Sequence, residues 1–462
     1  MEASAEWTSL GQARALRRGD VSAGELVLEA LERAEETAGL GAFVTLTAEA
    51  ALSEADAVDR LIASTPTAER AGLPPLLGLP TVHKDLVCVR GAVTTHGSRA
   101  VPHLVATRDD PVPAAIRAAG AVCIGKTQVP EFGIAAYSEG DLAAPARNPL
   151  DPALTAGGSS GGTATAIASG VVTAAIGSDA GGSIRIPSGA CGLVGLKPGR
   201  GRVPADVATP DPDPTGVPRL GVSGPMASTV ADAALWFDAL VGDRGLGSVA
   251  AVERAETLRG LRIGVSYESP FASAYPVSFA DEARRAVEAA AARLGEFGHA
   301  VEEARIRYDP RYADAFTTVW THGLTRLGLD AEAEGRLGAL AAMFLRSARS
   351  RSGDDLALAV DVLNGFARSA ARQWGRYDAI LTPALSGPPP EVGAFLALEP
   401  EADYRLQCLW APQMSMVNVA GVPAVVCPAP GVRAHDRGVG VQLIGRVGGE
   451  VSLLQLAAQL TG

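Results

Sequence analysis

Two glycine-rich loops, each with serine at its centre, lie in the run GGSSGGTATAIASGVVTAAIGSDAGGSIR at residues 157–185. Glycine pairs let the backbone take conformations closed to other residues, and they leave N–H groups bare for a ligand oxygen. A serine standing in such a nest is a candidate nucleophile. Either loop alone reads as a flexible surface turn. Two of them, with Ser159 and Ser183 24 residues apart, make that reading poor. A lysine joins them. Lysine occurs only at Lys84, Lys126 and Lys197, so arginine supplies 37 of the 40 basic residues. Such a chain keeps lysine where arginine cannot substitute, and chemistry that requires losing a proton is one such place. A desolvated Lys84 can lose its proton near neutral pH and act as a base. A serine hydroxyl between it and the nucleophile could relay that proton. The DAGGS turn then offers the backbone N–H groups of Ala180, Gly181, Gly182 and Ser183 to a developing oxyanion.

Two other patterns compete for attention. GAVCIGKT at 120–127 satisfies the phosphate-loop spacing, but its middle is an apolar β-type run and Pro130 follows where a helix should grow. Lys126 is expected to pack its stem in the fold instead. GSSGG at 158–162 satisfies G-x-S-x-G and would make Ser160 a nucleophile, yet that elbow must follow a strand. Here NPLDPALTAG, a proline- and aspartate-laden loop, leads into it. None of the six histidines (His83, His96, His103, His299, His322, His435) has the context of a triad base.

The elements that must position these residues alternate. Two helices occupy 8–37, a strand 43–46, and an alanine-rich helix runs to about 62. A strand from residue 80 carries Lys84. A helix near 112–119, a strand near 121–124 and a loop at 147–156 lead into the first serine nest. Residues 163–169 are small and helix-compatible, and 171–176 are β-branched and apolar. This alternation predicts an α/β fold, a mixed twisted sheet covered by helices on both faces. After Lys197 the regularity breaks in a loop dense in Asp and Pro at 203–218. Beyond it come a helix at 228–240, a strand at 261–266, a helix at 279–297 and a strand at 300–306. A mostly helical stretch at 310–375, strands at 377–382, 418–428 and 440–444, and a closing helix at 451–460 complete the chain.

With 462 residues, 47% of them hydrophobic and 20% charged, the chain can bury a substantial core. A net charge of −11 without a basic patch argues against nucleic acid. No run approaches the roughly 18 apolar residues needed to span a bilayer, so no membrane partner is expected. Acids and arginines fill the first twenty residues where a signal peptide needs an apolar core, which predicts a cytoplasmic protein. The five scattered cysteines read as buried thiols, and no cluster suggests a metal.

The chain resembles the amidase signature family over nearly its full length. The likeness is carried by PTVHKD around Lys84, TTHGS at 94–98, AAGAVCIGKT with EFG at 118–133 and RNP at 147–149. It continues through both serine nests, GVSGPMASTVAD at 221–232, LTP at 381–383, NVAGVPA at 418–424 and GVQLIG at 440–445. The resemblance implies one amidase domain over 1–462, with a signature core at about 75–205 and a variable pocket region at about 206–400. It implies that Ser183 attacks an amide carbonyl, that Ser159 relays the proton after a cis Gly158–Ser159 peptide, and that Lys84 is the ultimate base. Ser160 is a supporting residue. Ser178 stands where relatives often have threonine and keeps the hydroxyl for a supporting bond to the serine pair. Asp179 braces the nest, and Arg185 does the same or meets an acidic substrate. No cofactor or metal is implied. The partners are a small-molecule amide and, at most, a second copy in a homodimer. Amide formation or acyl transfer, and a partner-dependent subunit of the A-type amidotransferase kind, are the alternatives. The segment 204–222 departs from the A-type pattern and argues against that second alternative. Phe316, Trp320 and Trp374, with Asp206, Asp211 and Asp213 nearby, predict a pocket for uncharged apolar amides with aryl or long aliphatic acyl groups.

Overall fold

A computed structural model describes residues 8–208, 211–213, 215–242, 246–431 and 439–462. Its centre is a sheet of eleven strands. In chain order these are β1 (Phe43–Leu46), β2 (Pro80–Lys84), β3 (Val122–Thr127), β4 (Ala174–Asp179), β5 (Val194–Lys197) and β6 (Val222–Ala227). β7 (Arg262–Val265), β8 (Ala300–Glu303), β9 (Ala379–Pro383), β10 (Ala424–Cys427) and β11 (Val441–Gly445) follow. Across the sheet the order is β1-β3-β2-β4-β6-β5-β10-β11-β9-β7-β8. β2 runs parallel to both β3 and β4, and β7 runs parallel to β8 and β9. The strands between these blocks pair antiparallel, so the sheet is mixed.

β3, β9, β10 and β11 are buried at every residue; their side chains are mostly apolar or small, and the two exceptions, Lys126 in β3 and Gln442 in β11, find buried polar partners in Asp85 and Arg185. Helix Val230–Val241 packs on β4, β5 and β6, and helix Glu450–Thr461 packs on β10 and β11. Helix Gly161–Ala168 is buried from Gly161 through Ile167, and its small side chains let it lie against β2 and β4 without a polar face. The amino-terminal helices form where expected, the second with Ser22 and Glu25 in a reciprocal capping box. No described helix is long and apolar enough to cross a membrane.

Several boundaries differ from expectation. β4 starts at Ala174, because Val171 and Val172 turn the chain out of the preceding helix through backbone bonds to Ala166. Residues 147–156 hold a small antiparallel ribbon rather than a plain loop. The stretch 418–428 begins as helix Ser415–Ala420, closed by the left-handed Gly421, and only Ala424–Cys427 is strand. The central strands β5 and β6 carry no strand signal in the sequence, since VGLK holds a glycine and VSGPMA a glycine and a proline, as turns do. All five cysteines are free, and Cys88 is half-buried rather than buried.

Candidate active site

Parallel pairing sets His83 of β2 opposite Ile176 of β4, so the carboxyl ends of both strands reach one edge. Ligands in α/β sheets bind at such ends. Lys84 closes β2, Ser178 and Asp179 close β4, and the chain then turns through residues 180–184 into helix Arg185–Ala190. Ser159 and Ser160 stand just ahead of helix Gly161–Ala168.

Lys84 is 3% exposed and its Nζ donates to Ser159 Oγ at 2.7 Å, to Ser178 Oγ at 3.1 Å and to the Ser178 carbonyl at 3.4 Å. Burial lowers its pKa to about 7, against the pull of the Asp179 charge. Ser178 therefore supports the lysine rather than the serine pair. The Gly158–Ser159 peptide is cis. A Cβ on Gly158 would lie 2.5 Å from the Tyr137 carbonyl carbon, so only glycine allows this approach. Ser160 N donates to the Ser183 carbonyl at 3.2 Å and ties the two nests together. Its hydroxyl turns to the Ser178 carbonyl at 3.4 Å. Ser138, which sequence reasoning passed over, accepts from Gly161 N at 2.9 Å and donates to the Ser159 carbonyl at 3.2 Å.

Asp179 organises the second nest. Its Oδ1 accepts from Gly182 N at 2.8 Å and its Oδ2 from Ile184 N at 3.2 Å. Arg185 Nε reaches Oδ2 at 2.9 Å and Nη2 reaches Oδ1 at 3.0 Å, an ion pair with both side chains fully buried. Burial alone would raise the Asp179 pKa, but the Arg185 charge and its hydrogen bonds hold it well below the usual carboxylate range. Arg185 also donates to Gln442 Oε1 at 2.6 Å and to Asn418 Oδ1 at 2.7 Å. Its fully buried guanidinium thus braces the loop, and it lines neither of the two cavities that reach Ser183. The Gly182 N–H is taken by Asp179, which removes it from the expected oxyanion donors. Among the described residues the N–H groups of Ala180, Gly181 and Ser183 meet no acceptor. Gly182 holds φ at +129°, and a Cβ there would meet Met414 Cβ at 2.7 Å. Asn418 and Gln442 sit in NVAGVPA and GVQLIG; a lone amide inside each apolar run was the available signal.

Ser183 lies where two cavities meet. One, about 300 Å³, is lined by Lys84, Ser159, Ala180 and Trp320. The other, about 60 Å³, is lined by Gly181, Phe316, Trp320 and Tyr404. Phe316 and Trp320 stack with ring centroids 5.6 Å apart, so the expected apolar wall is present. Trp374 is instead core, packed against Phe366. The smaller cavity holds about two water-sized volumes, too little for an aryl ring or a long chain. The expected aspartates turn elsewhere: Asp206 accepts from Ser223, Asp211 from Arg219 N, and Asp213 pairs with Arg326. Ser160 lines neither cavity, nor does any of the five described histidines; His435 lies outside the described residues. Lys126 is fully buried in an ion pair with Asp85 at 2.8 Å, with no open phosphate loop around it.

The amidase family profile matches residues 25–454. The chain belongs to the amidase family. It is a hydrolase acting on amide bonds, with the amidase-signature fold. A Mycobacterium tuberculosis protein carrying the amidase name AmiB2 is 35% identical, covering 97% of this chain and 94% of its own. The A-type component of the Synechococcus glutamyl-tRNA(Gln) amidotransferase is 33% identical, covering 99% and 96%. The amidase also superimposes on 6-aminohexanoate cyclic dimer hydrolase with a TM-score of 0.84 and 26% identity, over 99% and 96% of the two chains.

Proposed function

We propose that this amidase cleaves a small carboxamide through an acyl-Ser183 ester, with Ser159 as proton relay and Lys84 as base. The observation that carries the reading is the buried Lys84 amine 2.7 Å from Ser159 Oγ, on the cavity that also reaches Ser183. Neutral Lys84 takes the Ser159 proton while Ser159 takes that of Ser183, whose oxygen bonds to the carbonyl carbon. The N–H groups of Ala180, Gly181 and Ser183 receive the negative charge that develops on the carbonyl oxygen. As the C–N bond breaks, Ser159 returns a proton to the departing nitrogen and is resupplied by the lysine. Water then attacks the ester by the same route, giving the carboxylic acid and free Ser183. An amine in place of water would make an amide instead.

We read the catalytic unit as one domain, because β10 and β11 from the end of the chain sit mid-sheet and supply Gln442 to the nest. The likeness to the A-type amidotransferase component favours one second reading, a chain that needs a partner. Turnover of a simple primary amide by the purified chain, abolished in Ser183→Ala, is the test. No turnover until a partner protein is added would support the second reading.

A further inference from the structure

Ser183, Ile134 and Trp320 border both cavities, so they form the boundary across which the scissile bond must lie. The two sides are chemically unlike. Lys84 and Ser159 open only on the larger side. A departing nitrogen must stand next to the group that protonates it, within hydrogen-bond reach. The amine half of the substrate therefore points into the larger cavity, and the acyl half is left with the smaller one.

That smaller cavity has about 60 Å³ against about 300 Å³ on the amine side. At roughly 30 Å³ per water-sized volume it takes two or three carbon-sized atoms. One of its walls is built by hydrogen bonds. Ala136 N donates to Gln407 Oε1 at 2.9 Å, Gln407 Nε2 to Asp403 Oδ1 at 2.8 Å, and Tyr137 OH to Asp403 Oδ2 at 2.7 Å. These bonds tie residues 134–137 to helix Pro400–Trp410. On the other side lies a third cavity of about 340 Å³, which shares Ile134 and Ala135 with the acyl pocket and is lined by Tyr137 and Asp403. Gln407 faces the acyl side and Asp403 the outer side. We infer that the enzyme selects amides of a short acyl group, acetyl to propionyl, on a bulky, largely apolar amine, and that Gln407 sets the acyl length. This rests on Ser183 being the acylated residue.

The test acylates the full-length protein with p-nitrophenyl acetate, propionate, butyrate and hexanoate, reading p-nitrophenol release and locating the acyl group by mass spectrometry. The nitrophenyl group occupies the larger cavity throughout, so only the acyl side varies. An apolar pocket discriminates by roughly 10-fold or more per misplaced methylene. The rate constant for acylating Ser183 should fall at least about tenfold from propionate to hexanoate. In Gln407→Ala, where the outer cavity joins the pocket, the hexanoate-to-acetate ratio should rise about tenfold. Hexanoate acylating native Ser183 as fast as acetate overturns the inference, and an unchanged ratio in a folded Gln407→Ala overturns the role of Gln407. Acylation at a residue other than Ser183, or none with any ester, overturns the nucleophile and the inference together.

Discussion

Lys84, Lys126 and Lys197 are all buried, at 3%, 0% and 1% exposure, so scarcity of lysine marks interior positions rather than chemistry by itself. What separates Lys84 is its surroundings. Lys126 has a carboxylate partner, and Lys197 gives its Nζ to the Pro198 carbonyl at 2.8 Å. Lys84 instead faces two hydroxyls on an open cavity. Its pKa of about 7 predicts an amidase rate that rises with pH through about 7 and levels above it, as the neutral amine accumulates. The same depression makes stability pH-dependent. Unfolded lysine titrates near 10.4. Between about 7 and that value the unfolded chain binds the extra proton, so this residue's contribution to stability improves as pH rises through the window. Lys84→Arg keeps the charge and cannot release a proton; a folded protein with about 10³-fold or greater loss of kcat is expected. An active arginine variant with the native pH profile would remove Lys84 as base.

The nest around Ser183 is an element held by one ion pair. Asp179 accepts backbone N–H groups from Gly182 and Ile184, and Arg185 supplies the compensating charge while reaching Asn418 and Gln442. Arg185→Met leaves Asp179 buried and unpaired, which costs about 3–5 kcal/mol. A urea titration should show the lowered midpoint, and a midpoint within error of the native protein would contradict the bracing role. This element was half legible in the chain. DAGGSIR exposes the glycines and the adjacent charges, because local turn chemistry is written locally. Which N–H groups remain free is decided by Asp179 folding back on its own loop, and nothing in the spacing shows that Gly182 is consumed. Likewise β5 and β6 lie at the centre of the sheet despite Gly195, Gly224 and Pro225, since tertiary pairing overrides their turn-like composition.

At the scale of the whole molecule, the sheet joins strands from both ends of the chain, and the order β5-β10-β11-β9 places late strands beside early ones. Periodicity made most helices readable, yet it carries no register and could not bring Gln442 to Arg185, 257 positions away. A chain ended after residue 387 would lose β10, β11, Asn418 and Gln442 together. It should fail to fold, read as loss of the cooperative thermal transition and rapid proteolysis; a cooperative, soluble fragment would contradict the shared core. The most direct measurement treats the intact amidase with a fluorophosphonate. Arg147 and Arg185 bound a tryptic peptide containing Ser159, Ser160 and Ser183, so fragment ions within that peptide must locate the label. One equivalent on Ser183, absent in Ser183→Ala and accompanied by loss of amide turnover, is the predicted result. A label on Ser160, or full activity retained after Ser183 is modified, would contradict it.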